Sequence, residues 1–324
     1  MITIRPSTDR DHAEIVTIGN GVNSDRLSRS VEGFRSAIRS QPPAASAQSY
    51  VAKAGGKVVG HLWLNRLIYV PNPHVWYADI QVHPTVQARG IGSRLYEFLL
   101  DRLADHRAQR VRAHVREDLP VARNFAAHRG FQETGHGDRP SRLDVHTADT
   151  EAGRRAAERL EREGVRIATL TELSDDQADV LHGIHALVNE TYVDIPSSDE
   201  WTFIPFDEWQ RLRAEEGERS DMVWVAVEGA KVIGVATLLQ RHENSAYAGH
   251  TGVARSHRGR GIARALKHCQ VTWAQRDGVD YLCTENDVEN APMLRINTDM
   301  GYRPLPADVE VIKNLGVDGR DERG

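Results

Sequence analysis

One stretch of this chain is written twice, and that repetition constrains its fold more than any other feature. Residues 80–95 read Ile-Gln-Val-His-Pro-Thr-Val-Gln-Ala-Arg-Gly-Ile-Gly-Ser-Arg-Leu, and residues 251–266 read Thr-Gly-Val-Ala-Arg-Ser-His-Arg-Gly-Arg-Gly-Ile-Ala-Arg-Ala-Leu. Gly90 and Gly261 stand 171 residues apart, as do the pairs Gly130-Phe131 and Gly301-Tyr302. An offset kept over separate landmarks marks a duplicated unit. The 324 residues accommodate two such units of roughly 150 residues, each able to bury its own core.

Both copies share a local logic. Ile80 and Val82 alternate with Gln81 and His83 as a half-buried strand does, and Pro84 stops it. Ile91, Leu95, Phe98, Leu99 and Leu103 then recur at helical spacing, with Arg94, Glu97, Asp101 and Arg102 on the other side. Gly90 and Gly92 remove side chains where strand turns into helix, and the first free N–H groups of the helix face whatever sits there. Such a terminus attracts anions. A dinucleotide fingerprint fits poorly, because Ser93-Arg94-Leu95 follows and the third glycine is missing. A Walker loop would need a Lys-Ser/Thr pair, which is absent.

These residues resemble the GNAT superfamily of acyl-CoA-dependent N-acyltransferases, whose central motif is Gln/Arg-x-x-Gly-x-Gly/Ala. Gln87-Ala-Arg-Gly90-Ile-Gly92 and Arg258-Gly-Arg-Gly261-Ile-Ala263 both satisfy it. The ending Asn-x-x-x-x-x-Gly-Phe is present from Asn124 to Phe131, and Asn290 to Tyr302 is similar to the corresponding segment of many bacterial members. The resemblance implies an α/β (α+β) chain of two tandem GNAT-like domains. Each would hold a mixed, mainly antiparallel sheet with a central splayed strand pair and flanking helices.

The expected division is a domain over 1–150, a linker helix over 151–164, a second domain over 165–316 and a disordered, charged tail over 317–324. The linker carries a solvated helix's charge pattern and ends at Gly164. The Gly/Pro/Ser-rich run 135–141 reads as a loop before a last strand over 142–146. In the second copy a strand over 281–284, a helix over 292–300 and a strand over 309–313 complete the pattern.

Composition narrows the function. The content of 40% apolar and 27% charged residues is that of a soluble globular protein. A net charge of -5 and a pI near 6.3 argue against nucleic acid or an anionic membrane as partner. The N-terminus has no basic-then-apolar signal and no apolar run reaches the length of a membrane span, so the cytoplasm is expected. Cys269 and Cys283 offer neither a disulfide framework nor metal-ligand spacing. Both read as core residues, and no metal is expected.

By resemblance, the strand before each turn holds the pantetheine arm and acetyl carbonyl of acetyl-CoA, with Ile80 and Val82 in the first copy and Thr251 and Val253 in the second. The N–H groups of Ala88, Arg89, Gly90, Ile91, Gly92 and Ser93, and of Gly259, Arg260, Gly261, Ile262, Ala263 and Arg264, are the candidates for the pyrophosphate. Gln87 and Arg258 hold the motif's polar first position. The guanidinium groups of Arg89, Arg94, Arg258 and Arg260 are placed to add charge-assisted contacts. Asn124 and Asn290 lie where many members contact the cofactor, or cap a helix.

Catalysis needs a base for an ammonium of reference pKa about 10. Asp79 and His83 flank the first strand, and His250 and Glu285 the second, each open to a surface or structural role as well. Many family members carry a tyrosine four residues before the Gly-aromatic pair to protonate the thiolate. Here Ala126 and Asn297 stand there. Asp194, Asp199, Glu200, Asp207 and Glu208 interleave with Trp201, Phe203 and Phe206, which reads either as an acidic, aromatic site for a cationic amine or as a solvated loop on core anchors. The expected activity is transfer of an acetyl group to a small-molecule primary amine in a ternary complex, by a monomer or homodimer. A non-catalytic acyl-CoA sensor, or transfer of a longer acyl group or to a peptide N-terminus, stands as the alternative.

Overall fold

A computed structural model describes residues 2–23, 29–173, 177–215, 217–242 and 244–316. The first run of elements is β1 (Ile2–Pro6), α1 (His12–Val22), α2 (Val31–Arg39), β2 (Gln48–Ala54), β3 (Lys57–Arg66), β4 (Val75–Val82), α3 (Ile91–Asp105), β5 (Arg110–Arg116), α4 (Pro120–Ala127) and β6 (Gln132–Asp144). After α5 (Glu151–Arg162) the order repeats. The second run is β7 (Val165–Thr169), α6 (Gln177–Tyr192), α7 (Phe206–Glu215), β8 (Val223–Glu228), β9 (Lys231–His242), β10 (Ser245–Val253), α8 (Ile262–Arg276), β11 (Tyr281–Asp287), α9 (Ala291–Asp299), β12 (Arg303–Pro304) and β13 (Asp308–Asn314). The fold is thus mixed α/β with mainly antiparallel strands, as the resemblance implies.

Two units contain these elements. One comprises Met1–Val115, Leu119–Gly135 and Glu310–Gly324, the other Arg116–Asp118 and His136–Val309. The chain therefore changes units inside β6 and returns inside β13. Strand order is β1-β2-β3-β4-β5-β13 in the first unit and β6-β11-β10-β9-β8-β7 in the second. Each sheet is closed by the final strand of the other copy.

The first unit buries Leu62, Leu64, Trp76, Ala78, Leu95, Leu99 and Leu103 between sheet and α3, and Ile15, Ile18, Phe34 and Val51 beneath α1 and α2. Their alternation along strands and helical spacing along α3 explain why these segments adopt these elements. The second unit repeats the plan with Ala236, Leu238, Leu266 and Leu282 on the α8 side and Ile184, Leu187, Val225 and Val235 on the α6 side.

Three sequence expectations need correction. The run 135–141 is not a loop: β6 continues through it, with Gly135 at φ 87° and Gly137 at φ 148°, and pairs with β11 from Asp138↔Asp287 to Asp144↔Tyr281. Pairing partners, absent from local sequence, override the loop-like composition. For the same reason β11 extends to Asp287 rather than ending at Thr284. Finally, α5 is not solvated all round. Gly153, Ala156 and Leu160 are buried, and a Cβ at Gly153 would lie 2.6 Å from the Arg264 carbonyl oxygen and 2.7 Å from His268 Cβ. The tail expected over 317–324 lies outside the described residues.

Candidate active site

Both glycine turns fold alike. Gly90 and Gly261 hold the N-cap positions of α3 and α8 at φ 81°, and two residues earlier Ala88 (φ 58°) and Gly259 (φ 78°) are also left-handed. Alternating left- and right-handed residues turn successive N–H groups toward one concavity, which suits an anion. Ala88 does this at a steric cost of about 1–2 kcal/mol, a strain that folds retain mainly at functional sites. Gln87 Nε2 donates to the Val82 carbonyl at 3.1 Å, and Arg258 Nε donates to the Val253 carbonyl at 3.2 Å. The motif's polar first position ties the turn back to its strand. Ile91 and Ile262 are core residues, 4% and 1% exposed, so only their backbone is on offer.

What surrounds the turns differs. Among the described residues nothing lies within 4 Å of a Cβ built on Gly90, and Ala88 and Arg89 are exposed. Arg129 Nη2 donates to Ser93 Oγ at 2.7 Å, with its guanidinium 3.5 Å above the Phe125 ring. That cation beside the first turn of α3 escaped the sequence analysis, since it lies 36 residues downstream. A Cβ at Gly92 would come within 3.2 Å of Phe125, so this glycine makes room for a ring. The offset of 171 places Ala263 and Ile296 at the positions of Gly92 and Phe125 in the second copy.

At Gly261 a Cβ would meet Ala156 and Arg159 Nη2, both at 3.2 Å, and Arg159 Nη2 donates to the Arg260 carbonyl at 2.5 Å. The arginines of the second turn are held by carboxylates. Arg258 reaches Asp194 at 2.5 Å, Arg260 reaches Glu228 at 3.0 Å and Glu163 at 3.2 Å, and Arg264 pairs with Asp299. The hydrogen bond from Arg255, with Arg258 adding to it, holds the Asp194 carboxyl down at about 2. Asp194 and Glu208, open in the sequence to an acidic rim or a solvated loop, are thus in ion pairs. Arg94 pairs with Glu97 at 3.4 Å.

The strand pair that follows is splayed in both copies. Parallel pairing of β4 with β5 runs only from Val75↔Arg110 to Tyr77↔Arg112, and that of β10 with β11 only from Ser245↔Tyr281 to Tyr247↔Cys283. Ile80 and Val82, and Thr251 and Val253, lie beyond the last pair, where strand edges are open. The copies part company here: β4 keeps unbroken register with β3, whereas β10 carries a bulge between Ala248 and Thr251. Tyr77 and Tyr247 are 170 residues apart, Ile80 and Thr251 171, so the bulge is a one-residue insertion. Bulges re-aim side chains.

The re-aimed side chain is His250. Its ring stacks on Tyr192, 4.8 Å between centroids, and Nε2 lies 2.9 Å from Thr191 Oγ1. Thr191 Oγ1 donates its hydrogen to the Leu187 carbonyl at 2.8 Å. His250 Nε2 must therefore be the donor to Thr191, which leaves Nδ1 as the basic nitrogen. Burial pushes this imidazole down to about 4, so it is neutral at pH 7. Gly252 is needed here, since a Cβ would sit 2.6 Å from Nε2. Tyr192 also lines a cavity of about 80 Å³ with Asn189, Val193, Trp201, Thr202, Phe203 and Ile204.

The other expected residues take varied roles. Asp79 Oδ2 accepts from Gln81 Nε2 at 2.8 Å. His83 Nδ1 faces the Thr85 hydroxyl at 2.9 Å and N–H at 3.3 Å, capping the turn that follows. Glu285 is exposed on β11. The offset sets it against His114 on β5, whose ring is 5.7 Å from Tyr77. Each splay is thus flanked by one carboxylate and one imidazole in exchanged order, Asp79 with His114 and His250 with Glu285. His114 escaped the sequence analysis because the offset was not carried onto β5. Asn124 is exposed; Asn290 caps α9, its Oδ1 accepting from Met293 N–H at 3.3 Å.

Both cysteine thiols are pushed up to about 11 by burial. Among the described residues no cluster of three His, Cys, Asp or Glu could hold a metal, and no helix is long and apolar enough to cross a membrane.

Known structures repeat this architecture. A tandem GNAT protein from the clavulanic acid biosynthesis pathway is similar over 97% of this chain and 98% of its own, at 20% identity and a TM-score of 0.72. A GCN5-related N-acetyltransferase from Sphaerobacter thermophilus covers 97% and 95%, at 18% identity and a TM-score of 0.73. No curated protein sequence matches. The model of the acetyltransferase (GNAT) family matches residues 24–131 and again residues 181–302, more than half the chain, and this protein belongs to that family as a tandem member.

Proposed function

We propose that the protein is an N-acetyltransferase that moves the acetyl group of acetyl-CoA onto a primary amine of a small molecule, by direct attack within a ternary complex, and that the second unit carries the chemistry. The observation that supports this is His250, a neutral imidazole of one tautomer set at the bulge where β10 leaves β11. Acetyl-CoA supplies an activated thioester. The left-handed turns at Ala88/Gly90 and Gly259/Gly261 suit its pyrophosphate in charge and in backbone access. Arg129 beside the first turn adds a cation to it, while Arg159 beside the second is paired with Glu163 and donates to the Arg260 carbonyl. The open edges of residues 80–82 and 251–253 are available to the arm.

In this reading His250 Nδ1 accepts a hydrogen bond from the neutral acceptor amine and orients its lone pair, and Thr191 holds the ring against rotation. Tyr192 and Trp201, 5.8 Å apart in an edge-to-face pair, give the ammonium aromatic faces, worth roughly 1–2 kcal/mol each when desolvated. A cavity of about 80 Å³ favours a small amine head.

The test is thiol release from acetyl-CoA over a panel of small amines and peptides, with His250→Gln alongside. The expected result is turnover with a small amine and a fall of about 100-fold in the variant, as for misplacement of a reacting group. Ala126 and Asn297, at positions where many relatives carry a tyrosine acid, favour a second reading as an acyl-CoA sensor. Cofactor binding without turnover on any amine would establish it. Calorimetric titration of acetyl-CoA into Gly90→Trp and Gly261→Trp counts the sites, since an indole excludes a pyrophosphate.

A further inference from the structure

The two splays are furnished differently. Past the last paired residues of the second unit, β11 contributes Thr284 and Asn286, and α9 contributes Asn297. Thr284 Oγ1 donates to the Ala248 carbonyl at 2.9 Å, so its hydrogen is committed across the gap. Asn297 Nδ2 donates to Asn286 Oδ1 at 2.7 Å, and the residue is 2% exposed. Asn297 Oδ1 is buried and, among the described residues, has no hydrogen-bond partner. The positions 171 residues earlier hold Ala113, Val115 and Ala126, none with a side-chain acceptor.

A buried carbonyl oxygen without a donor costs about 1–3 kcal/mol, and folded proteins keep few. Here the amide is fixed by Asn286, which lies three residues past Cys283, the last residue of β11 paired with β10, and its free oxygen cannot reach water. A neutral N–H donor that enters the gap removes the cost, whereas a carboxylate or another carbonyl raises it. We infer that Asn297 Oδ1 accepts an amide N–H of the pantetheine arm in the second unit, a binding role where relatives place a catalytic tyrosine. The inference rests on the acyl-CoA reading above. It makes the second cleft select for the arm's amides, while the first cleft meets the arm with alanine and valine.

The experiment compares two probes by calorimetry on the full-length protein: coenzyme A, and adenosine 3′,5′-bisphosphate, which keeps phosphates but lacks the arm. Gly90→Trp, or Gly90→Glu as a second choice, silences the first unit so that only the second is read. In that background Asn297→Ala is expected to weaken coenzyme A about tenfold, the equivalent of one hydrogen bond, and to leave the bisphosphate unchanged. Asn297→Ser, which keeps an oxygen acceptor, is expected to recover part of the loss and serves if the alanine variant does not fold. Unchanged coenzyme A affinity, or equal losses for both probes, would overturn the inference. Binding of neither probe before Asn297 is touched would overturn the acyl-CoA reading of this cleft itself.

Discussion

Replacing Gly153 by alanine sets two known effects against each other. Gly153 lies inside α5, and in a helix interior alanine is favoured over glycine by about 0.8–1 kcal/mol. The new Cβ, however, would stand 2.6 Å from the Arg264 carbonyl oxygen and 2.7 Å from His268 Cβ. Relief requires α5 to move off α8 by something like 0.5–1 Å, a gap that forfeits a quarter to a half of each dispersion contact. Leu160, 0% exposed, has the most to lose: a buried leucine makes 40–60 contacts of about 0.1–0.2 kcal/mol. Losing a quarter to a half of that, partly recovered by relaxation, costs about 2–3 kcal/mol, in the upper part of the range of measured overpacking. The steric term wins, and we expect a net loss of about 1–2 kcal/mol, or about 2–8 °C in a unit of this size. Urea unfolding of wild type and Gly153→Ala reads it directly. A variant as stable as wild type, or more so, would refute the close packing of α5 on α8 and with it the contact of Arg159 at the second turn.

Three further predictions concern charge. Lys313 is 4% exposed and donates to Tyr96 Oη at 2.9 Å and the Arg129 carbonyl at 2.7 Å. Lys313→Met should therefore cost about 2–4 kcal/mol, and a double-mutant cycle with Tyr96→Phe should show coupling above about 0.5 kcal/mol; additivity would disprove the bond. Burial lowers the Lys267 ammonium to about 8, so its penalty is full below pH 8 and fades as pH rises toward the unfolded value near 10.5. Lys267→Met should stabilise the protein at pH 7 by about 1–2 kcal/mol, after allowance for the lost contact with the Tyr302 ring, and the gain should shrink in unfolding curves at pH 10. Asp194, held at about 2 by Arg255 and Arg258, contributes fully above its unfolded value near 3.8 and loses that contribution as pH falls to 2. Asp194→Asn should flatten the acid limb of stability over that window, and an unaltered limb would contradict the pairing.

Local chemistry made the turns and the helices behind them legible in the sequence: glycine at left-handed positions, apolar spacing, a proline stop. The resemblance made the splayed pair an expectation, and the repeat offset carried that expectation to both copies. What escaped it depends on partners distant in sequence. The continuation of β6 through Gly135 and Gly137 needs β11 opposite it, and the buried face of α5 needs α8. His250 could be named from its place beside the strand, but its tautomer is set by Thr191, 59 residues away. The arginines were visible as charges while the carboxylates that hold them, Asp194, Glu228 and Glu163, were not visible as their partners. The bulge was encoded as a change of offset from 170 to 171, a signal that a comparison anchored only on the glycines passes over.

The return of the chain inside β13 has a consequence for synthesis. Tyr96 emerges from the ribosome 217 residues before the lysine that bonds it. Emerging domains usually fold as soon as they are complete, but here the first sheet lacks an edge until residues 308–314 have been made. Until then β5 exposes unpaired backbone, a template for pairing with any neighbouring strand. The closing contact also spans a large loop, which slows its search. A chain cut short just before residue 308 thus leaves its N-terminal sheet open at β5, so that quality control meets an unfinished first unit beside a second whose six strands are already made.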